Sequence, residues 1–229
     1  MIESRRRGDG GCVLGERGFT LVEIAIVLVI IGLLLGGVLK AQSMIENSRI
    51  KRLASDTNAT IAAINAYMDS YATLPGDDAN ATARGFAAAP AVGDGDGLID
   101  GSWVPATGNF DTDETALAWN HARCAGLTKG NCIASTNNIE IPLNSFGGYL
   151  GIGDGRAITA DLGISKKLIC MEKVPGEAAV IYDTQHDDGV GTTGSVRGSA
   201  ANETAQTAAP TATAYTTTAN SVIFICTGF

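Results

Sequence analysis

Three groups of side chains in this 229-residue sequence could do chemistry by their type and spacing. The first is Glu23, the single charged residue in FTLVEIAIVLVIIGLLLGGVL, the run from Phe19 to Leu39. A carboxylate in such surroundings costs about 2.5 to 3.5 kcal/mol even on membrane-insertion scales, so it calls for a positive partner or a hydrated interface. The second is Asp94-Gly95-Asp96-Gly97-Leu98-Ile99-Asp100. Asp94, Asp96 and Asp100 supply carboxylates, the glycines permit a tight turn, and a backbone carbonyl near Leu98 completes a partial calcium loop. Against a full EF-hand loop, the first and last ligand positions fall on Val92 and Trp103, and neither is acidic. A solvated acidic turn is the alternative. The third group is Cys124, Cys132, Cys170 and Cys226, four of five cysteines, the fifth being Cys12 in the basic N-terminal stretch ahead of the apolar run; the four make an even set that suggests two disulfides outside the cytoplasm. Of the three possible pairings we expect Cys124 with Cys132, closing a short loop, and Cys170 with Cys226, tying the last strand to an earlier one. Buried free thiols are the alternative.

Other polar groups carry less. Asp183, Asp187 and Asp188, followed by Gly189, form a second acidic cluster that is an ion site or a surface turn, and is read here as the turn. The only histidines, His121 and His186, lack the spacing of an HExxH metal site. No GxSxG elbow and no phosphate-binding loop occurs, so no enzymatic activity is expected, and His121 reads as a packing or surface residue.

The elements that position these groups begin with the apolar run. At 1.5 Å per residue, roughly 20 apolar residues cross about 30 Å of hydrocarbon, so Phe19 to Leu39 is long enough to span a bilayer. A small residue, Gly18, precedes this run and follows Glu16-Arg17, whereas a secretory signal places its cleavage site after the apolar core. Cutting after Gly18 leaves the hydrophobic segment on the mature chain. Arg5, Arg6, Arg7 and Arg17 hold their side of the span in the cytoplasm by the positive-inside rule.

The stretch Arg17-Gly18-Phe19-Thr20-Leu21-Val22-Glu23 resembles the cleavage and methylation motif of type IV pilins and type II secretion pseudopilins. The resemblance implies a leader over residues 1–18, removed by prepilin peptidase, and a mature chain that starts at a methylated Phe19. It also implies that Glu23 neutralises the free amine of Phe19 on a neighbouring subunit as helices pack into a filament. The partners are then other pilin or pseudopilin subunits, and the location is the inner membrane, single-pass with a periplasmic C-terminal domain, before entry into a pilus or pseudopilus. Pseudopilins often hold structural calcium, which adds to the reading of Asp94, Asp96, Leu98 and Asp100. No proline interrupts the helix near Lys40, unlike many major pilins, which leans towards a minor or pseudopilin role.

Past Leu39 a helical rhythm continues through Ile50, Leu53, Thr57, Ile61, Ile64, Tyr67 or Met68, and Tyr71. Leu74-Pro75-Gly76 stops it. The N-terminal helix is therefore expected over residues 19–73, membrane-spanning to about Leu39 and amphipathic after. Residues 74–229 are expected to form an α+β domain with an antiparallel sheet. Its best helix is Asp113 to Cys124, and its strands lie around Gly148 to Ile152, Ala178 to Tyr182 and Ser221 to Cys226. The Ala/Thr-rich Ser199 to Thr218 reads as an irregular excursion. The formal charge is -8, and since the leader contributes +1, the remainder carries -9, which counts against nucleic-acid binding. The competing functional class is a membrane-tethered ligand-binding or enzymatic domain that only borrows the anchor.

Overall fold

The apolar run and the three-and-four rhythm that follows it form one helix, α1 (Leu21–Tyr71), which ends before Leu74 as the proline requires. The computed structural model describes residues 18–86, 93–101, 113–133, 139–157, 162–199, 212–218 and 221–229. The leader residues 1–17, Val92, Trp103 and most of the Ser199 to Thr218 stretch lie outside that set. After α1 come α2 (Glu114–Cys124), β1 (Leu150–Asp154), β2 (Lys167–Pro175), α3 (Gly176–His186), β3 (Val196–Ser199) and β4 (Val222–Gly228). The architecture is α+β: a long N-terminal helix with an apolar first half, and a C-terminal antiparallel sheet of four strands in the order β1-β2-β4-β3.

By internal contacts the chain divides after Ile45. In the first unit the helix carries its apolar side chains to the outside: Leu21 is 86% exposed and Leu33 73%. Its best 18-residue window has a mean hydropathy of 2.8 and none of that window is buried. In the second unit the rest of α1 buries Ile50, Leu53, Thr57, Thr60, Ala63, Ile64 and Tyr67. These sit on the face that the sequence rhythm picks out.

That face joins a core built from one side of the sheet, with Ile169, Met171, Ile223 and Ile225, together with Trp119 of α2 and Ala178, Ala179 and Tyr182 of α3. The alternate residues Leu168, Cys170, Phe224 and Cys226 point the other way and pack with Leu162 and Ile164. Both faces of the central strands are thus dry. Each fully buried Leu or Ile contributes roughly 1.5–3 kcal/mol, so the two layers supply most of the stabilisation.

Two disulfides close as expected. Cys124 and Cys132 bridge residues eight apart, and Cys170 bonds Cys226, its direct cross-strand partner in the β2–β4 register.

The segment Ala178 to Tyr182 is a correction, because it is helical and not a strand. Val180, Ile181 and Tyr182 have strand propensity, but Glu177, Ala178 and Ala179 favour a helix. Burial of Ala178, Ala179 and Tyr182 with Ile181 exposed follows the helical period. Expected strands shift modestly: Gly148 to Ile152 becomes Leu150–Asp154, and Ser221 to Cys226 becomes Val222–Gly228. The sequence reading assigned neither β2 nor β3.

Candidate functional site

At the start of α1, Thr20 and Glu23 form a reciprocal cap. The Thr20 N–H and hydroxyl each donate to Glu23 Oε2 at 2.8 Å, and the Glu23 N–H donates to Thr20 Oγ1 at 3.3 Å. This is the S/T-x-x-E capping box, worth about 1 kcal/mol at a helix start, and its signal was present in the sequence. The cap gives the carboxylate hydrogen bonds but no countercharge. Gly18 and Phe19 precede the helix, and the Phe19 side chain is 82% exposed. A Cβ added at Gly32, Gly36 or Gly37 would meet nothing within 4 Å, so nothing in the single chain demands glycine there.

Within the second unit the acidic loop is organised differently from the sequence expectation. Asp94 and Asp96 converge with Asp77, a residue that reasoning along the loop missed, and one carboxylate oxygen of each lies within 4.8 Å of the others. Asp77 is buried and accepts the N–H groups of Gly95 at 2.6 Å and Gly97 at 2.8 Å. Both glycines have positive φ, at 82° and 88°, which turns their amides toward Asp77. Glu114, at the first turn of α2, accepts the N–H groups of Asp94 at 3.1 Å and Asp100 at 2.9 Å. Asp94 Oδ1 accepts from the Asp96 N–H, and Asp96 Oδ1 accepts from the Leu98 N–H. Two carboxylates therefore hold the loop by its backbone.

Asp100 is not one of the three converging acids, although its Oδ1 is buried without a hydrogen-bond partner among the described residues. Burial pushes the carboxyls of Asp77, Asp100 and Glu114 above the usual range, with the charges of Asp94 and Asp96 adding to it at Asp77 and Asp100. The donors are all oxygen, the set suited to calcium or magnesium. Open space beside the loop, about 480 Å³ and lined by Met68, Leu74 and Asp77, gives access to it.

His121 is fully buried in α2. Its Nδ1 accepts the Gly76 N–H at 3.0 Å, its ring stacks on Tyr67 at 6.3 Å, and its Nε2 has no partner among the described residues. It packs the turn that ends the α1 segment. His186 stacks on Tyr182 near the surface, 4.3 Å between centroids.

Residues 14–39 match the family model of the prokaryotic N-terminal methylation motif, the signature of type IV pilins and pseudopilins. The match spans Gly18, Phe19, the capped Glu23 and the whole exposed apolar half-helix. No curated protein and no solved structure matches the chain.

Proposed function

We propose that this protein is a structural subunit of a type IV pilus or type II secretion pseudopilus, cut by prepilin peptidase after Gly18 and assembled through α1. The observation that carries this reading is the exposed apolar half-helix, headed by the methylation motif and one carboxylate. Such a surface has two stable homes, a bilayer or a bundle of like helices, and assembly transfers it from the first to the second. On this reading Phe19 carries the new amine, Glu23 receives it from a neighbouring subunit, and the C-terminal domain is delivered to the periplasmic side.

Processing supplies the test. The peptidase must fit a small side chain beside the scissile bond, so Gly18→Ala is expected to be cut nearly as wild type. Gly18→Val is expected to accumulate as the longer precursor on an electrophoretic gel. Equal processing of the Val variant would remove Gly18 as the cleavage site.

The calcium expectation also becomes a proposal, with a revised donor set. Asp77, Asp94 and Asp96 converge, and the unpartnered oxygen of Asp100 lies in the same loop. If they hold calcium, chelation lowers the melting temperature of the full chain in detergent, and Asp94→Asn/Asp96→Asn removes part of that response. An identical response in that variant rules the loop out.

A further inference from the structure

Three Asn-x-Thr triplets occur in the chain: Asn58-Ala59-Thr60, Asn80-Ala81-Thr82 and Asn202-Glu203-Thr204. This is the pattern that accepts a sugar on the asparagine amide of an exported protein, and it needs surface backbone on which both polar side chains are within reach. Asn202 lies outside the described residues. The fold separates the other two.

Asn58 sits inside α1, and in a helix residues two apart point about 200° away from each other around the axis. Asn58 is therefore exposed while Thr60 is only 5% exposed, with its hydroxyl donating to the Asp56 carbonyl at 2.8 Å. An enzyme that reads the two side chains together would have to unwind the helix first.

Asn80 lies on the turn over residues 79–85, past the stop at Leu74-Pro75-Gly76. Asn80 and Thr82 are both exposed, and the exposed residues beside them, Ala79, Ala83 and Gly85, are small. The amide is thus open to a large catalyst. The turn is fixed to the fold by its other residues. Asp78 Oδ1 accepts the Asn80 N–H at 2.9 Å, and Ala81 is 0% exposed, packed with Ala116, Leu117 and Ile139. Arg84 pairs with the buried Asp78 and lies over the Tyr71 ring, 5.0 Å from its centroid. Asp78 and Ala81 hold the turn from within while the acceptor pair faces out, so a substituent on Asn80 leaves the core untouched.

We propose that Asn80 is a site of N-linked glycosylation, modified outside the cytoplasm by an oligosaccharide carried on a polyprenyl diphosphate. In the transfer, Asn80 Nδ2 forms a bond to the anomeric carbon of the first sugar. The bond from that carbon to the diphosphate oxygen breaks, and the polyprenyl diphosphate leaves with the electron pair. The nitrogen gives up one proton to a base of the transferase. The proposal rests on the reading that the C-terminal domain is delivered to the periplasmic side, a location that the two disulfides also suit.

The test is peptide mass spectrometry on protein recovered from the native cell envelope. Trypsin leaves residues 53–84 as one peptide holding both Asn58 and Asn80, so fragmentation between them assigns the site. The expected result is a sugar mass on Asn80 and none on Asn58. Thr82→Val keeps the asparagine and is expected to lose the modification, whereas Thr82→Ser keeps a hydroxyl and is expected to retain it. Asn80→Gln is expected to lose it as well, with unchanged circular dichroism. A bare Asn80 in wild type overturns the proposal, as does a sugar that survives in Thr82→Val or sits only on Asn58 or Asn202. The N-terminal peptide of the same sample tells the two readings apart. A methylated Phe19 with a bare Asn80 removes the glycan alone, and a retained leader with a bare Asn80 removes the processing reading with it.

Discussion

Glu23→Ala is expected to be cleaved and inserted normally yet to fall out of assembled filaments by more than about 30-fold, read as the ratio of filament-associated to membrane-associated protein. The size follows from what the substitution strands. Truncating one partner of a desolvated charge pair costs about 2–5 kcal/mol, mostly from the charge left behind, and in the proposed assembly that charge is the Phe19 amine of the neighbour. Each 1.4 kcal/mol is tenfold in an equilibrium constant, so even the low end gives about 30-fold.

The cap at the helix start supplies the control. Glu23→Ala also breaks the hydrogen bonds with Thr20, worth about 1 kcal/mol, and a sceptic could assign the defect to fraying of α1. Thr20→Val breaks the side-chain part of the cap and leaves the carboxylate. If charge is what matters, Thr20→Val assembles near wild-type levels while Glu23→Ala does not. If the anchor is merely borrowed by a tethered domain, neither variant changes the protein's distribution or activity.

The second large effect is on acid stability. Burial lowers the pKa of His121 from the ordinary 6.5 to about 4, with Arg84 adding to it. The folded state keeps the ring neutral while the unfolded chain takes up a proton below 6.5, so the contribution of this group is complete above pH 6.5 and is lost as pH falls to about 4. At ~1.4 kcal/mol per pH unit the loss is about 3 kcal/mol. The raised carboxyls of Asp77, Asp100, Glu114 and Asp183 act with the opposite sign, since the folded state binds their protons first and gains stability as pH falls. Wild type alone would mix the two trends. The difference between wild type and His121→Asn, which retains an acceptor for the Gly76 N–H, isolates the ring. That difference should be flat above pH 6.5 and move by about 3 kcal/mol against wild type between pH 6.5 and 4, followed by denaturant unfolding in detergent. Parallel curves would mean that His121 is not held neutral by burial.

What the sequence made legible, and what it did not, follows from the range of each signal. The long helix could be read because its apolar run and its three-and-four rhythm are local, and so is the Pro75 stop. The cross-strand pair Cys170–Cys226 was legible as the tie between the last strand and an earlier one, although β2 itself was missed. That strand is buried on both faces and shows no alternation of polar and apolar residues, the pattern by which strands are recognised. Helix α3 was misread because Val180, Ile181 and Tyr182 speak locally for a strand, while the packing of Ala178, Ala179 and Tyr182 on the sheet decides for a helix. Asp77 escaped because it joins the Asp94 loop only through the fold. The Thr20 cap, by contrast, is a local signal, because its three-residue spacing to Glu23 is that of a capping box.

The mass of the mature N-terminus, measured on protein recovered from the cell envelope, bears most directly on the account. The expected species begins at Phe19, is methylated on its amine and carries none of the preceding leader. Recovery of a chain that retains the leader, or that begins anywhere else, contradicts it.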